Sequence, residues 1–149
     1  MKASPYYFKM GQFHELRLRS NSFVSQIDSY IESIVDDNEA LLDLNRRQLK
    51  EEHKTAKGKP VSPQYSRSYA AFKGFKTPNL FLTGEFQRAF TIEAKGKAFN
   101  ISSSDDKTEK LTDKYGTDIF GISKEDQQEA QEITIKELAK VYKKVVFQS

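Results

Sequence analysis

The side chains with chemical potential in this chain are two histidines, His14 and His53, the carboxylate pair Asp36-Asp37, and the polar run Ser102-Ser103-Ser104-Asp105-Asp106. Two histidines would make a zinc site or a general base if they stood at helical spacing. They lie far apart, and no H-x-x-H or H-E-x-x-H pattern joins them to each other or to an acid. Adjacent carboxylates diverge on a helix, because side chains one residue apart do not face each other, so Asp36 and Asp37 make a weak acid–base pair. The run from Ser102 to Asp106 lacks the D-x-[DN]-x-[DN]-G order of a calcium loop and reads as a solvated turn. Gly58-Lys59 and Gly74-Phe75-Lys76 lack the spacing of a phosphate loop, and no G-x-S-x-G occurs. The chain has no cysteine, which removes disulfides, thiol nucleophiles and thiolate metal sites. The expectation is a protein that is not an enzyme, with no catalytic residue, no cofactor-binding residue and no metal ligand.

What remains is surface. The 149 residues fit one domain on the usual scale of roughly 100–200 residues. Hydrophobic residues make up 37%, charged residues 30%, and the mean hydropathy is −0.70. That predicts a thin core leaning on 11 Phe and 7 Tyr, with part of its order owed to partners. No apolar run approaches the roughly 20 residues of a membrane span. Met1-Lys2-Ala3-Ser4-Pro5 carries no apolar stretch of the signal-peptide kind, so neither membrane nor secretion is expected. Net charge is only +3, yet it is unevenly placed. Residues 20–44 hold six acids and no Lys or Arg, whereas residues 45–76 hold nine bases against Glu51 and Glu52. Two such blocks either pair across copies of the chain or stand as two solvated faces. The first option makes Arg46, Arg47 and Lys50, against Asp36 and Asp37, candidates for a subunit interface. The basic segment, with Tyr65, Tyr69, Phe72 and Phe75, is also a candidate phosphate-binding surface.

The elements that would position these groups follow from periodicity. Residues 1–12 read as a partly extended arm, whose Tyr6, Tyr7 and Phe8 suit docking on a neighbour. Phe13–Arg19 partly alternates and reads as a short strand. Phe23, Ile27, Ile31, Ile34, Val35, Leu41, Leu42 and Leu49 recur at helical steps, predicting a long helix over 22–53, kinked or restarted near Asp37. Residues 57–63 are a loop, 65–73 a short helix ended by Gly74, and 76–79 a turn. A short helix over 84–89 leads to a hairpin of 90–93 and 98–102, turning at Ala94–Lys97. A helix over 106–114 follows, ended at Gly116. Residues 118–122 read as a strand or packed loop, and Ser123 as the cap of a last helix. In that helix Ala130, Ile133, Leu138, Val141, Val145 and Val146 face the core. The predicted fold is α+β: long N-terminal and C-terminal helices packed on a small antiparallel β-sheet. The hairpin supplies two strands, with a third from 13–19 and a fourth near 118–122.

Several stretches in this order resemble a known group. They are the helix end Asn45–Leu49, Pro63-Gln64-Tyr65-Ser66-Arg67-Ser68-Tyr69-Ala70, and Leu82-Thr83-Gly84-Glu85-Phe86. The hairpin, Ile101–Lys107, and Tyr115-Gly116-Thr117-Asp118-Ile119-Phe120-Gly121-Ile122-Ser123 complete the set. The order is similar to that of the tailed-bacteriophage tail-completion and virion-morphogenesis proteins, the head–tail connector group, over roughly residues 40–140. The chain departs from many members after the hairpin, where it has no histidine and where Ile119–Ile122 stands nearest to their turn. The resemblance implies a structural virion protein, a ring-forming subunit at the head–tail junction or tail terminus. It implies copies of itself and portal, connector or tail-tube proteins as partners, and the virion, assembled in the bacterial host cytoplasm, as its location. Lys95 and Lys97 at the hairpin tip would face the lumen, in non-specific contact with passing DNA. A DNA-binding accessory protein using segment 45–76 is the second reading, and a small hydrolase the third.

Overall fold

The apolar stripe from Phe23 to Leu49 folds as separate helices rather than one rod. In a computed structural model of the protein, which describes residues 10–96 and 98–147, α1 spans Met10–Ser25, α2 Ile27–Val35 and α3 Glu39–Lys50. The restart expected near Asp37 is made without Pro or Gly. Asp37 takes φ 56, and Asn38 serves both helices it separates. Its Nδ2 donates to the Ile34 carbonyl at 3.0 Å, and its Oδ1 accepts the Leu41 N–H at 3.1 Å. Asp and Asn enter the left-handed region and cap helices readily, because a short polar side chain bonds the local backbone.

Phe13–Arg19 lies inside α1 and is not a strand. The alternation there spans only a few residues, among Glu, Leu and Arg, which favour helix. Tertiary contacts settle the matter: Phe23 meets Tyr142 edge-on at 5.1 Å, and Arg19 donates to the Val146 carbonyl at 3.3 Å. The helix also overlaps the arm expected over 1–12, from Met10 onward. Tyr6, Tyr7 and Phe8 lie outside the described residues, as does Lys97.

After the 57–63 loop come α4 (Arg67–Lys73) and α5 (Glu85–Arg88). Strands β1 (Phe90–Lys95) and β2 (Ala98–Ser103) pair antiparallel, with Ile92 opposite Ile101. Then follow α6 (Thr108–Tyr115), a 3-10 turn over Thr117–Ile119, and α7 (Gln127–Phe147). The class is α+β, with N- and C-terminal helices and a small antiparallel sheet; α2 and α3 pack on β1, and α1 and α7 pack on each other and on α2. Among the described residues that sheet has two strands, so the expected third and fourth are absent.

The 119–123 segment finds its bonds elsewhere. Asn45 and Gln48 stand one turn apart on α3, each 0% exposed. Asn45 Nδ2 donates to the Ile119 carbonyl at 3.0 Å, and its Oδ1 accepts the Gly121 N–H at 2.9 Å. Gln48 Nε2 donates to the Gly121 carbonyl at 3.3 Å, and its Oε1 accepts the Ser123 N–H at 2.8 Å. Two side-chain amides thus do what a neighbouring strand would do. Gly121 has φ 121, and a Cβ there would stand 3.0 Å from Ala56 Cβ, so the position suits glycine alone. Ser123 precedes α7 by a turn; its Oγ bonds Asp126 Oδ2 at 3.3 Å. Around the amides pack Leu41, Leu42, Leu49, Val61, Ile92, Ile101, Ile119 and Ile122, the core.

Asn45→Ala would leave two buried backbone groups without partners, at a cost of about 2–4 kcal/mol. Urea unfolding at neutral pH reads this as a lower midpoint. A loss as small as that of an ordinary surface substitution would contradict the clamp.

Candidate functional site

Asn79 organises one exposed face. It is buried, accepts the Phe81 N–H on Oδ1 at 3.1 Å, and takes the Gln87 amide on its carbonyl at 2.9 Å. The Tyr65 hydroxyl accepts the Asn79 N–H at 3.2 Å, and burial pushes the Tyr65 phenol up from its ordinary value. These bonds hold Leu80 at φ 54, a conformation a branched side chain rarely takes. At Gly84, φ 84, a Cβ would fall 2.9 Å from the Phe81 ring. The result is a cleft of about 280 Å³ walled by Tyr65, Tyr69, Phe81, Phe86 and Tyr115.

Rings and ammonium groups share this face. Tyr65 and Tyr69 meet edge-on at 4.8 Å, and Tyr69 leads to Phe72 at 5.9 Å. Phe72 is 73% exposed and Leu82 67%. Lys50 Nζ stands 4.2 Å over the Phe81 ring, a cation–π contact. Lys73 Nζ donates to the Phe81 carbonyl, and desolvation lowers its pKa. Lys107 lies 3.7 Å from Glu85. Such a face can take apolar or anionic side chains of a macromolecule. Tyr65, Tyr69, Thr83–Phe86 and Tyr115, far apart in sequence, all line it.

A second face is apolar. A groove of about 400 Å³ runs between β2 and α7, bordered by Ile31, Val35, Leu41, Phe99, Ala130 and Ile135. It shares Ile31, Val35 and Phe99 with an adjoining cleft that carries Asp28 and Glu32. Ile135 is 63% exposed and Phe99 38%. The sequence reading missed both. Ile135 falls off the α7 stripe among polar residues, and that misplacement was the available signal. Phe99 gave none, because hairpin alternation puts it on the core side with Ile101.

The charged candidates find partners within the chain. Arg46 Nε donates to the Gln87 carbonyl at 2.8 Å, and its Nη1 reaches Glu39 at 2.7 Å and Asp43 at 2.8 Å. Part of the acidic block therefore neutralises part of the basic block intramolecularly. Arg47 bonds Asp126 at 2.9 Å and Glu129 at 2.8 Å. Asp36 Oδ1 accepts the Ala94 N–H at 2.7 Å, and the Asp37 N–H donates to the Ile92 carbonyl at 3.2 Å, so both tie the helix break to β1. Lys95 is exposed at the end of β1. Lys54, Lys57, Lys59, Arg67 and Lys76 make no ion pair among the described residues. His53 Nδ1 lies 2.9 Å from the Thr77 carbonyl and its ring meets Phe75 at 4.6 Å, a packing role. Among the described residues no group of three or more His, Cys, Asp or Glu is placed to hold a metal. No described helix is long and apolar enough to cross a membrane.

Comparison with known proteins yields no matching family model, no matching curated protein and no matching solved structure.

The Arg47 hydrogen bonds and charge hold the Glu129 carboxyl below its ordinary value, and the same contacts raise Arg47. A depressed carboxyl stabilises the fold above its unfolded pKa, and the gain is lost as pH falls through the folded value. Glu129→Gln should therefore lower the urea midpoint at pH 7, and the gap to the parent chain should close in acid. A gap independent of pH would contradict the pairing.

Proposed function

We propose that this protein is a structural subunit of a tailed-bacteriophage virion, forming a ring at the head–tail junction or tail terminus. The observation that carries this reading is the pair of unlike faces on one chain. One is aromatic and rimmed by Lys50, Lys73 and Lys107; the other is an apolar groove adjoined by a cleft that carries Asp28 and Glu32. The two share no lining residue. A closed ring needs this asymmetry, because its contacts are head-to-tail and join unlike surfaces of the two copies. The ordered set of motifs supplies the viral part of the reading. No step of bond-making belongs to it, and no cofactor. Its partners are further copies and the portal, connector or tail-tube proteins of the same particle, and its place is the virion, after assembly in the host cytoplasm. Lys95, exposed at the end of β1, and Lys97, which lies outside the described residues, are the residues assigned to a lumen that passes DNA.

Native mass spectrometry and negative-stain imaging of the purified chain should give a closed homo-oligomer. Phe72→Asp with Leu82→Asp on the aromatic face should abolish it without changing the circular dichroism. Deleting the gene from its phage should leave filled heads without stably joined tails. Normal particles from the deletion would remove the reading.

A second reading is favoured by one feature: after Arg46 and Arg47 are spent internally, the basic segment still presents Lys54, Lys57, Lys59, Arg67 and Lys76 without ion pairs among the described residues. On that reading the chain is a DNA-binding accessory protein. Double-stranded DNA should then bind with an affinity that falls linearly in log salt, and replacing three of these bases by Gln should reduce the slope by about 2–3. Binding unmoved by salt would eliminate it.

A further inference from the structure

We infer that the groove between β2 and α7 receives the segment Tyr6-Tyr7-Phe8 of a neighbouring copy, added as a strand to the open edge of β2. This rests on the building-block reading above and names the contact that joins one copy to the next.

The edge comes first. The Ser104 N–H donates to the Ala89 carbonyl at 3.0 Å, which fixes the alternation of the ladder. Thr91 with Ser102 and Glu93 with Asn100 are then the hydrogen-bonded pairs, and Ile92 with Ile101 and Ala94 with Phe99 point their backbone groups outward. On β1 two of those outward groups are met, the Ile92 carbonyl by the Asp37 N–H and the Ala94 N–H by the Asp36 carboxylate. On β2 the outward groups of Phe99 and Ile101 have no partner among the described residues, and of the two Phe99 is exposed while Ile101 is buried. An unpaired edge of this kind is a template for another strand.

The groove supplies the side-chain half. Phe99 belongs both to that edge and to the apolar groove, with Ala130 and Ile135 across from it. Alternation along an added strand would send Tyr6 and Phe8 to one face together. Charge agrees: the described lining residues of the groove and its adjoining cleft include Asp28 and Glu32 and no Lys or Arg, while the segment is flanked by Lys2 and Lys9.

Reach excludes the chain's own segment. Arg19 touches Val146 and Phe23 touches Tyr142, so α1 and α7 run antiparallel. Nine residues of α1 then carry Met10 about 14 Å beyond the end of α7, while Ala130–Thr134 lie roughly 18–24 Å back in the other direction. Tyr6 is four residues from Met10 and reaches about 14 Å at full extension. The gap exceeds that reach about twofold. The occupant is therefore another copy's segment, and the exchange is head-to-tail.

The test uses the full chain carrying Tyr6→Ser, Tyr7→Ser and Phe8→Ser, with a fluorescent peptide of residues 2–10 as probe. Saturable binding is expected, weakened at least about tenfold when Phe99→Asp or Ile135→Asp is added, with unchanged circular dichroism. No binding at about 1 mM peptide, or binding indifferent to both groove substitutions, overturns the proposal. Mixing separates its failure from that of the wider reading. The arm variant and the Phe99→Asp variant should each stay monomeric, and together should form a dimer and nothing larger, since one arm and one groove remain usable. An arm variant that still closes the parent ring overturns the strand exchange and leaves the building-block reading standing.

Discussion

The structure depends on two side-chain amides that act as a strand. Asn45 and Gln48 give four hydrogen bonds to the backbone between Ile119 and Ser123, all inside a core otherwise made of Leu, Ile and Phe. A buried amide left unsatisfied costs more than a hydrogen bond gains, so the pair is tolerated because the extended segment partners both the nitrogen and the oxygen of each amide. That requirement fixes the segment at one register against α3. It also explains the glycine at position 121, whose backbone must come close to Ala56 while its N–H and carbonyl serve different amides.

The same device recurs wherever the small sheet leaves backbone uncovered. Asn38 joins α2 to α3, Asp36 takes the Ala94 N–H at the edge of β1, and Asn79 with Gln87 holds the turn that builds the aromatic cleft. A sheet of two strands among the described residues cannot satisfy the irregular segments through ladders. Short amide and carboxylate side chains are the remaining route, and they carry directional information that apolar packing lacks. The thin core is therefore specified by polar contacts as much as by volume.

This explains which parts were legible beforehand. Helix-period stripes at Phe23–Val35 and in α7, and the Lys95-Gly96 hairpin, came through because burial on one face leaves a periodic trace. The break at Asp37 was visible as an interruption, though its capping by Asn38 was not. The strand at 13–19 and the strand alternative at 118–122 fail for one reason. Alternation over five to seven residues does not separate a strand from a helix whose partner is remote, or from a loop bound by side chains. Tyr142 and Val146 decide the first, Asn45 and Gln48 the second, and all four lie far away in sequence. Part of the charge-block pattern is explained inside the chain. The run of acids and the run of bases offered contacts between copies as one option, and Arg46 closes on Glu39 and Asp43, two turns and one turn away on its own helix.

The surfaces left over follow from this internal economy. With the Arg46, Arg47 and Asp36 side chains and the Asp37 N–H engaged within the chain, affinity for a neighbour in the proposed assembly would have to come from elsewhere. Exposed ion pairs would contribute little in any case, because solvent screens them and long side chains lose freedom in forming them. Exposed rings and aliphatic groups differ: each removes apolar area from water when covered, and the gain scales with that area. Phe72 and Leu82 crown one face, and Phe99 and Ile135 flank the other. Scattered apolar residues need no explanation, but paired ones at the mouths of a cleft and a groove do. The charges beside them, lysines on the first and Asp28 and Glu32 on the second, are then free to orient an encounter whose strength the apolar groups supply.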